Sequence, residues 1–382
     1  MSETIKVDNR RLKIRTAIVG VGAMGTSHAR HILEGRVPGL ELAAVCDPNP
    51  VALSRFDGVP QFTDYEQMLA DASLDAVIIA TPHFDHIPMG MRALSRGLHV
   101  LVEKPLAVHK EACAEFLKAA SSTNLVASVM LSMRARPLFQ KIRSMIQDGE
   151  LGTLRRVDWI ATDWFRTENY YQHSSWRGTW KGEGGGLLLN QCPHQLDLWW
   201  WLFGQPDKIT AFCTEGRYHD IETEDDITAV LSYDDGVKGV FVSSTGESPG
   251  TNRLEIAGEN GRLIAEGNQL VFSRNEEPMS VFSKRSNLPM NRPAFANEEI
   301  PIEPPAKSGH ETIMQNFADA ILHGEPLLAP ASEAIHAVEI ANAMHLSSWL
   351  QTAVALPIDA ALFRRHLNKR ITQSEPPLVA VL

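Results

Sequence analysis

The stretch RTAIVGVGAMGTSHARHILEG, residues 15–35, constrains the start of the fold more tightly than any other part of the chain. The uninterrupted apolar run Ala17–Val19 calls for burial on both faces, which a strand inside a parallel sheet provides. Gly20, Gly22 and Gly25 follow in the order G-x-G-x-x-G, and a helical segment starts at once and is closed by Gly35. Gly20 allows a tight turn, Gly22 lets the backbone approach a pyrophosphate, and Gly25 lets helix and strand pack closely. Ala23 and Met24 then open a helix whose positive end meets the diphosphate. The next apolar run, ELAAVCD, ends in Asp47, 22 residues after Gly25, close to the ~20 expected of the acid that bonds an adenosine ribose. A carboxylate there repels a 2'-phosphate, so NAD is expected and NADP is disfavoured.

The same rhythm continues. LDAVIIATP and HVLVEKP read as further buried strands, with helical segments such as DHIPMGMRALSRG between them, which is the pattern of a parallel sheet wrapped by helices. After LVASVML the texture changes. LRRVDWIATDWF, DITAVLSYDDGVKGVFVSST and TNRLEIAGENGRLIAEGNQLVF alternate apolar and polar residues around DDG and ENG turns, which predicts an antiparallel meander. One face of it packs on helices and the other is available to a partner. Residues 275–309 are polar and Pro-rich and read as including an exposed loop, and two helices follow, HETIMQNFADAILHG and ASEAIHAVEIANAMHLSSWLQT. At 382 residues the chain exceeds the size at which single cores stop growing. The expected organisation is an α/β chain: a tail over 1–12, a dinucleotide-binding domain over 13–130, a second α+β domain with a large, mostly antiparallel open sheet over 131–360, and an extension over 361–382 that carries no readable chemistry.

A net charge of -10 and no basic run longer than RR give no field for a phosphate backbone, so nucleic acid is not expected as a partner. The N-terminus lacks an apolar signal segment and no run is long enough to span a bilayer, so a cytoplasmic protein without membrane attachment is expected. The four cysteines, Cys46, Cys113, Cys192 and Cys213, have no metal-ligand spacing and read as free thiols, and no metal site is expected.

Glu103, Lys104 and Pro105 end a predicted parallel strand, where ligands of open sheets bind, so Lys104 is expected to face the cofactor crevice. The stretch EGGGLLLNQCPHQLDLWWWLFG, residues 183–204, holds Asn190 and His194 four apart. Taken alone it reads two ways. Asn190 is a favoured N-cap with Pro193 in the first turn and His194 a satisfied core histidine, or the two form a proton-handling pair on one helical face.

In order, Gly20-x-Gly22-x-x-Gly25, ATPHFDH, EKP and GGGLLLNQCPHQLD resemble the Gfo/Idh/MocA family, which includes glucose-fructose oxidoreductase and inositol dehydrogenases, over about residues 13–358. The resemblance implies a Rossmann domain followed by an open-sheet domain, and NAD(P)-dependent oxidation or reduction of sugars or cyclitols. It implies that Thr81 and Pro82 contact the cofactor, with His86 in the same segment and His83 where the family usually has Asn. Glu103 matches the residue beside the nicotinamide ribose, Lys104 the catalytic lysine, His194 the family histidine and Asp197 the later acid, but Asn190 stands where the family has Asp. Neutral His194 is then the natural general base, Lys104 stabilises a developing alkoxide, and Asn190 orients the imidazole by hydrogen bonding alone. The amide is expected to leave His194 with a lower pKa than a carboxylate would.

The aromatic stretch WIATDWFRTENYYQHSSWRGTWKG suits the faces and edges of a pyranose. From it Tyr170, Trp176 and Arg177 are assigned to the substrate pocket, with Lys104, Asn190 and His194. The expected activity is oxidation of a secondary ring hydroxyl of a sugar, inositol or glycoside, at C3 by subgroup resemblance. The alternatives are an NAD-dependent glycosidase working through transient oxidation, a dihydrodiol dehydrogenase, and a non-catalytic dinucleotide sensor, which retention of Lys104 and His194 argues against. By the same resemblance the open sheet pairs face to face in a homodimer or homotetramer.

Overall fold

A computed structural model describes residues 13–172, 174 and 176–374; the N-terminal tail, His173, Ser175 and residues 375–382 lie outside the described residues. The first unit is a six-stranded sheet of β1 (Ile14–Val19), β2 (Leu40–Cys46), β3 (Gln61–Phe62), β4 (Ala76–Ile79), β5 (His99–Val102) and β6 (Ala127–Val129), in the order β3-β2-β1-β4-β5-β6. Each pairing in it is parallel. Helices cover both faces of such a sheet, so its central strands carry no polar alternation, and Ile18, Val77, Ile78 and Leu101 are fully buried. The strand order reverses between β1 and β4, and the crevice at that switch point lies outside the carboxyl ends of the strands.

The second unit is a nine-stranded sheet of β7 (Leu154–Ala161), β8 (Lys208–Glu215), β9 (Glu224–Ser232), β10 (Lys238–Ser244), β11 (Asn252–Gly258), β12 (Gly261–Glu266), β13 (Gln269–Asn275), β14 (Phe295–Glu299) and β15 (Val354–Ala355). Its order is β14-β13-β12-β11-β7-β10-β9-β8-β15, and only the β7–β10 pair runs parallel. Alternation decides its faces: Ile227, Ala229 and Leu231 of β9 point into the core, whereas Val230, with Phe212 on β8 and Ile160 on β7, is exposed on the other side. The helices Pro193–Phe203 and Ala331–Leu350 cover the inner face.

Three segments depart from the sequence reading. The polar, Pro-rich segment contains an exposed helix, Met279–Arg285, and the edge strand β14, paired to β13. The helix Gly309–His323 begins with a Ser308/Glu311 capping box and buries Ile313, Met314 and Phe317 against the first core, so the chain returns to the dinucleotide unit after completing most of the second. Residues 360–373 form a helix that buries Phe363 and Leu367 in the second core. The helix Ala331–Leu350 serves both cores: Ala334 and Val338 pack in the first, Ile340 and Met344 in the second. Its Asn342 also accepts from Lys110 N and donates to the Val108 carbonyl, both at 3.0 Å. None of the helices among the described residues is long and apolar enough to cross a membrane.

Candidate active site

A cleft of about 490 Å³ opens at the switch point, between the glycine turn after β1, the ends of β4 and β5, and the loop before Gly178. The three glycines shape one end of it, each for a different reason. Gly20 has φ +83°, and a Cβ there would stand 2.7 Å from the Ala80 carbonyl oxygen. At Gly25 it would stand 1.8 Å from the Gly20 carbonyl oxygen, so only glycine lets the helix Ala23–Leu33 close onto β1. At Gly22 it would meet nothing within 4 Å, because that backbone faces the open cleft.

Asp47 lies on the cleft, with Oδ2 accepting from Val21 N and Oδ1 from Asn49 N, both at 2.9 Å. Ala23, Met24, Thr81 and Pro82 also line it, and the Thr81 hydroxyl is buried without a partner among the described residues. An open glycine cradle at a helix start, an acid at the end of β2 and an unsatisfied hydroxyl between them fit a dinucleotide. His86 departs from its expected place. Its ring is fully buried behind the cleft, with Nε2 2.9 Å from the Thr81 carbonyl and Nδ1 2.8 Å from the Pro105 carbonyl. It ties the two cleft loops together and does not line the cleft.

At the other end Glu103 and Lys104 leave β5. The Glu103 carboxylate meets His28 Nε2 at 2.6 Å and accepts from Lys104 N at 3.1 Å. Burial would raise this carboxyl, but the hydrogen bond and charge of His28, together with Lys104 and His310, outweigh it and hold the group at about 2. Burial depresses the Lys104 ammonium below the ordinary lysine value; Glu103 and Glu183 oppose that shift, and Arg177 and Arg166 add to it. Lys104 Nζ donates to the Asn190 carbonyl at 2.8 Å.

Asn190 is not the cap of the helix that carries His194. It ends a short turn of its own, Leu187–Asn190, and the following helix, Pro193–Phe203, starts after Cys192 with no side-chain cap. The start of the short turn is held by Glu224, a buried carboxylate on β9 that accepts from Gly186 N at 3.0 Å and Leu188 N at 2.9 Å. The Asn190 amide nitrogen donates to Glu183 Oε1, and Gly178 N donates to Glu183 Oε2 at 2.7 Å. With its nitrogen engaged there, Asn190 has Oδ1 left for the cleft it lines. Burial pushes the Glu183 carboxyl up to about 7, against the pull of its two donors.

Glu183 is a residue that the motif reading passes over. A Glu before three glycines looks solvated in sequence, and only the packing of the loop makes it 1% exposed. The available signal was its position at the head of the stretch that holds Asn190 and His194.

His194 lies behind the cleft wall, within electrostatic reach of Lys104, Glu103 and His310, and its Nδ1 is buried without a partner among the described residues. Burial and then the Lys104 charge lower its pKa to about 3, so it is neutral at any ordinary working pH. Asp197 belongs elsewhere. It forms a buried two-point ion pair with Arg134, at 2.6 and 2.8 Å, which supports the core. Trp176 and Arg177 line the cleft, whereas Tyr170 stands behind Arg177, whose Cζ lies 4.6 Å from the Tyr170 ring centre and 4.7 Å from that of Trp176. The four cysteines are free thiols, and no group of His, Cys, Asp and Glu among the described residues is placed to hold a metal ion.

Residues 14–131 match the oxidoreductase family's NAD-binding Rossmann fold, and residues 139–264 match the GFO/IDH/MocA C-terminal domain. The chain belongs to the Gfo/Idh/MocA family. Members similar to it include the scyllo-inositol 2-dehydrogenase (NAD(+)) of Bacillus subtilis, 27% identical over 66% of this chain and 73% of that protein. The trans-1,2-dihydrobenzene-1,2-diol dehydrogenase of Mus musculus is 28% identical over 61% of this chain and 69% of that protein. Among solved structures, the WlbA dehydrogenase of Bordetella pertussis, in complex with NADH and UDP-GlcNAcA, superposes with a TM-score of 0.77 at 25% identity, covering 91% of this chain and 100% of that one. As a Gfo/Idh/MocA protein the chain is an NAD-dependent oxidoreductase, with a Rossmann domain joined to a mixed-sheet domain.

Proposed function

We propose that the protein transfers hydride between nicotinamide and a secondary ring hydroxyl of a sugar, glycoside or cyclitol, with Lys104 handling the hydroxyl proton. The observation that carries this reading is the placement of Lys104: a half-buried ammonium at the end of β5, on the wall it shares with the Gly22 cradle and Asn190. Bound NAD supplies the hydride acceptor. Lys104 is held by the Asn190 carbonyl, and its lowered pKa brings the neutral amine closer to working pH, as proton transfer in either direction requires. Asn190 Oδ1 is an uncharged acceptor for the hydroxyl proton and aligns the O–H bond before transfer. His194, with a pKa near 3, is a weak base, so in this reading it acts as a neutral imidazole that polarises the site.

The scyllo-inositol and dihydrodiol dehydrogenases among the relatives, and the sugar-nucleotide complex among the neighbours, support a polyhydroxylated ring substrate. The test is NADH formation, followed by its absorbance, across inositols, hexoses, glycosides and trans-dihydrodiols. At least one substrate should turn over, with kcat reduced about 10²–10⁴-fold in Lys104→Ala. No turnover across the panel, or unchanged rates in the variant, overturns the reading. We also propose that the outer sheet face, with Phe212 at 70% and Val230 at 40% exposure, pairs with a second copy. Monomeric sedimentation at micromolar concentration would exclude this.

A further inference from the structure

The chain has an excess of acidic residues, 46 against 36 basic, and many of its arginines meet carboxylates: Arg134 pairs with Asp197, Arg156 with Glu255 and Arg274 with Glu150. The substrate end of the cleft breaks that habit. Lys104 Nζ donates to a backbone carbonyl. Arg166 Nη1 donates to the carbonyls of Trp164 and Phe165, at 3.2 and 3.0 Å. Arg177 makes no side-chain hydrogen bond among the described residues, and its buried Nε is without a partner. Glu183 is in electrostatic reach of both Lys104 and Arg177, but its two oxygens already accept from Asn190 and Gly178.

Arg177 is also preorganised. Tyr170 and Trp176 hold its guanidinium through ring contacts at 4.6 and 4.7 Å, which fix the plane of the group while leaving its in-plane N–H edges unused. A half-buried guanidinium with free edges is costly unless an acceptor completes it. The dinucleotide's phosphates have donors of their own elsewhere in the cleft. Their cradle is at Gly22, after β1, whereas Lys104 leaves β5, two strands away in the sheet, which is roughly 10 Å at the spacing of neighbouring strands.

We propose that the substrate bears a carboxylate on or next to the oxidised ring, received edge-on by Arg177, so that the protein acts on sugar acids or uronosyl compounds in preference to neutral sugars. This inference rests on the sugar-dehydrogenase reading above. Planar, two-point pairing suits a carboxylate, and reach from Lys104 to the same ring requires the acid group to be close to the reacting hydroxyl.

The test uses the full chain with saturating NAD and compares D-glucuronate and D-galacturonate with their amides, which keep the ring and remove the charge, and with glucose 6-phosphate. kcat/KM should favour a uronate over its amide by about 10–100-fold. Arg177→Gln should reduce that ratio to near one, and Arg177→Lys should keep part of it. If the variants do not fold, calorimetric titration of the NADH-loaded parent decides: uronate affinity should exceed amide affinity and fall with added salt. Equal handling of acid and amide, preference for the phosphate ester, or no binding of either uronate overturns the inference. Turnover of neutral sugars without charge preference would defeat this inference alone. Charge-dependent uronate binding that Arg177→Gln abolishes, without any NADH formation, would instead defeat the dehydrogenase reading.

Discussion

Replacing Asn190 by Asp restores the residue usual in the family, yet in this chain it should damage the site. The new carboxylate would stand against that of Glu183, whose Oε1 now accepts from the Asn190 amide. Two such charges about 4 Å apart repel by roughly 4 kcal/mol at an effective dielectric of ~20, equivalent to about 3 pKa units. Glu183 alone is already pushed up to about 7 by burial, so the pair would keep one proton across the neutral range and titrate as a unit. The parent should lose kcat/KM as pH falls through about 7, because Gly178 N keeps Oε2 as the acceptor, the proton settles on Oε1, and the displaced Asn190 amide is free to turn its donor to the cleft. In Asn190→Asp that limb should move up by about 3 pH units.

The swapped pair Glu183→Gln with Asn190→Asp should bring the limb back. The oxygen of the introduced glutamine can take the Gly178 N–H while its nitrogen donates to the introduced aspartate, so each hydrogen bond has a counterpart. Pre-steady-state or kcat/KM profiles of the four proteins between about pH 5 and pH 10 form a double-mutant cycle, with a coupling of roughly 1–3 kcal/mol. Superimposable profiles, or single-mutant effects that simply add, would refute the argument.

Three further outcomes are expected. Gly22→Ala should fold normally and raise the KM for NAD, whereas Gly25→Ala should lower thermal stability, since the added methyl meets open cleft in one case and a backbone carbonyl in the other. Asp197→Ala should cost about 3–5 kcal/mol in denaturant unfolding by leaving the buried Arg134 guanidinium without its two-point partner. His194 should show no protonation by NMR between about pH 5 and 8, because its folded pKa is lowered to about 3; a group depressed in this way weakens the fold only as pH falls below its unfolded value near 6.5.

Much of this protein is legible in its sequence, and the legible parts share a cause. The glycine turn, Asp47, Lys104 and the alternating strands are local patterns whose spacing is dictated by backbone geometry. What escapes is what distant segments decide. The parallel β7–β10 pairing joins strands about 80 residues apart, and nothing in either strand names its partner. Asn190 looks like a cap in one dimension, but Glu224 on β9 holds the turn instead. His86 and Tyr170 carry the right chemistry and stand one layer behind the cleft, because residue type does not say which way a loop turns. Glu183 is the converse, an ordinary acid made unusual by burial.

The helix Ala331–Leu350, shared by both cores, makes the two units one mechanical body. At 20 residues it is a beam about 30 Å long, seated in one unit through Val338 and in the other through Met344. Separating the units would require breaking a continuous helix and the two Asn342 bonds that cross the joint. The spacing between the cradle and Lys104 on the first unit and Arg177 and Asn190 on the second is therefore set when the chain folds, and ligands enter a gap of fixed width. Calorimetry should accordingly record a single melting event for the whole molecule.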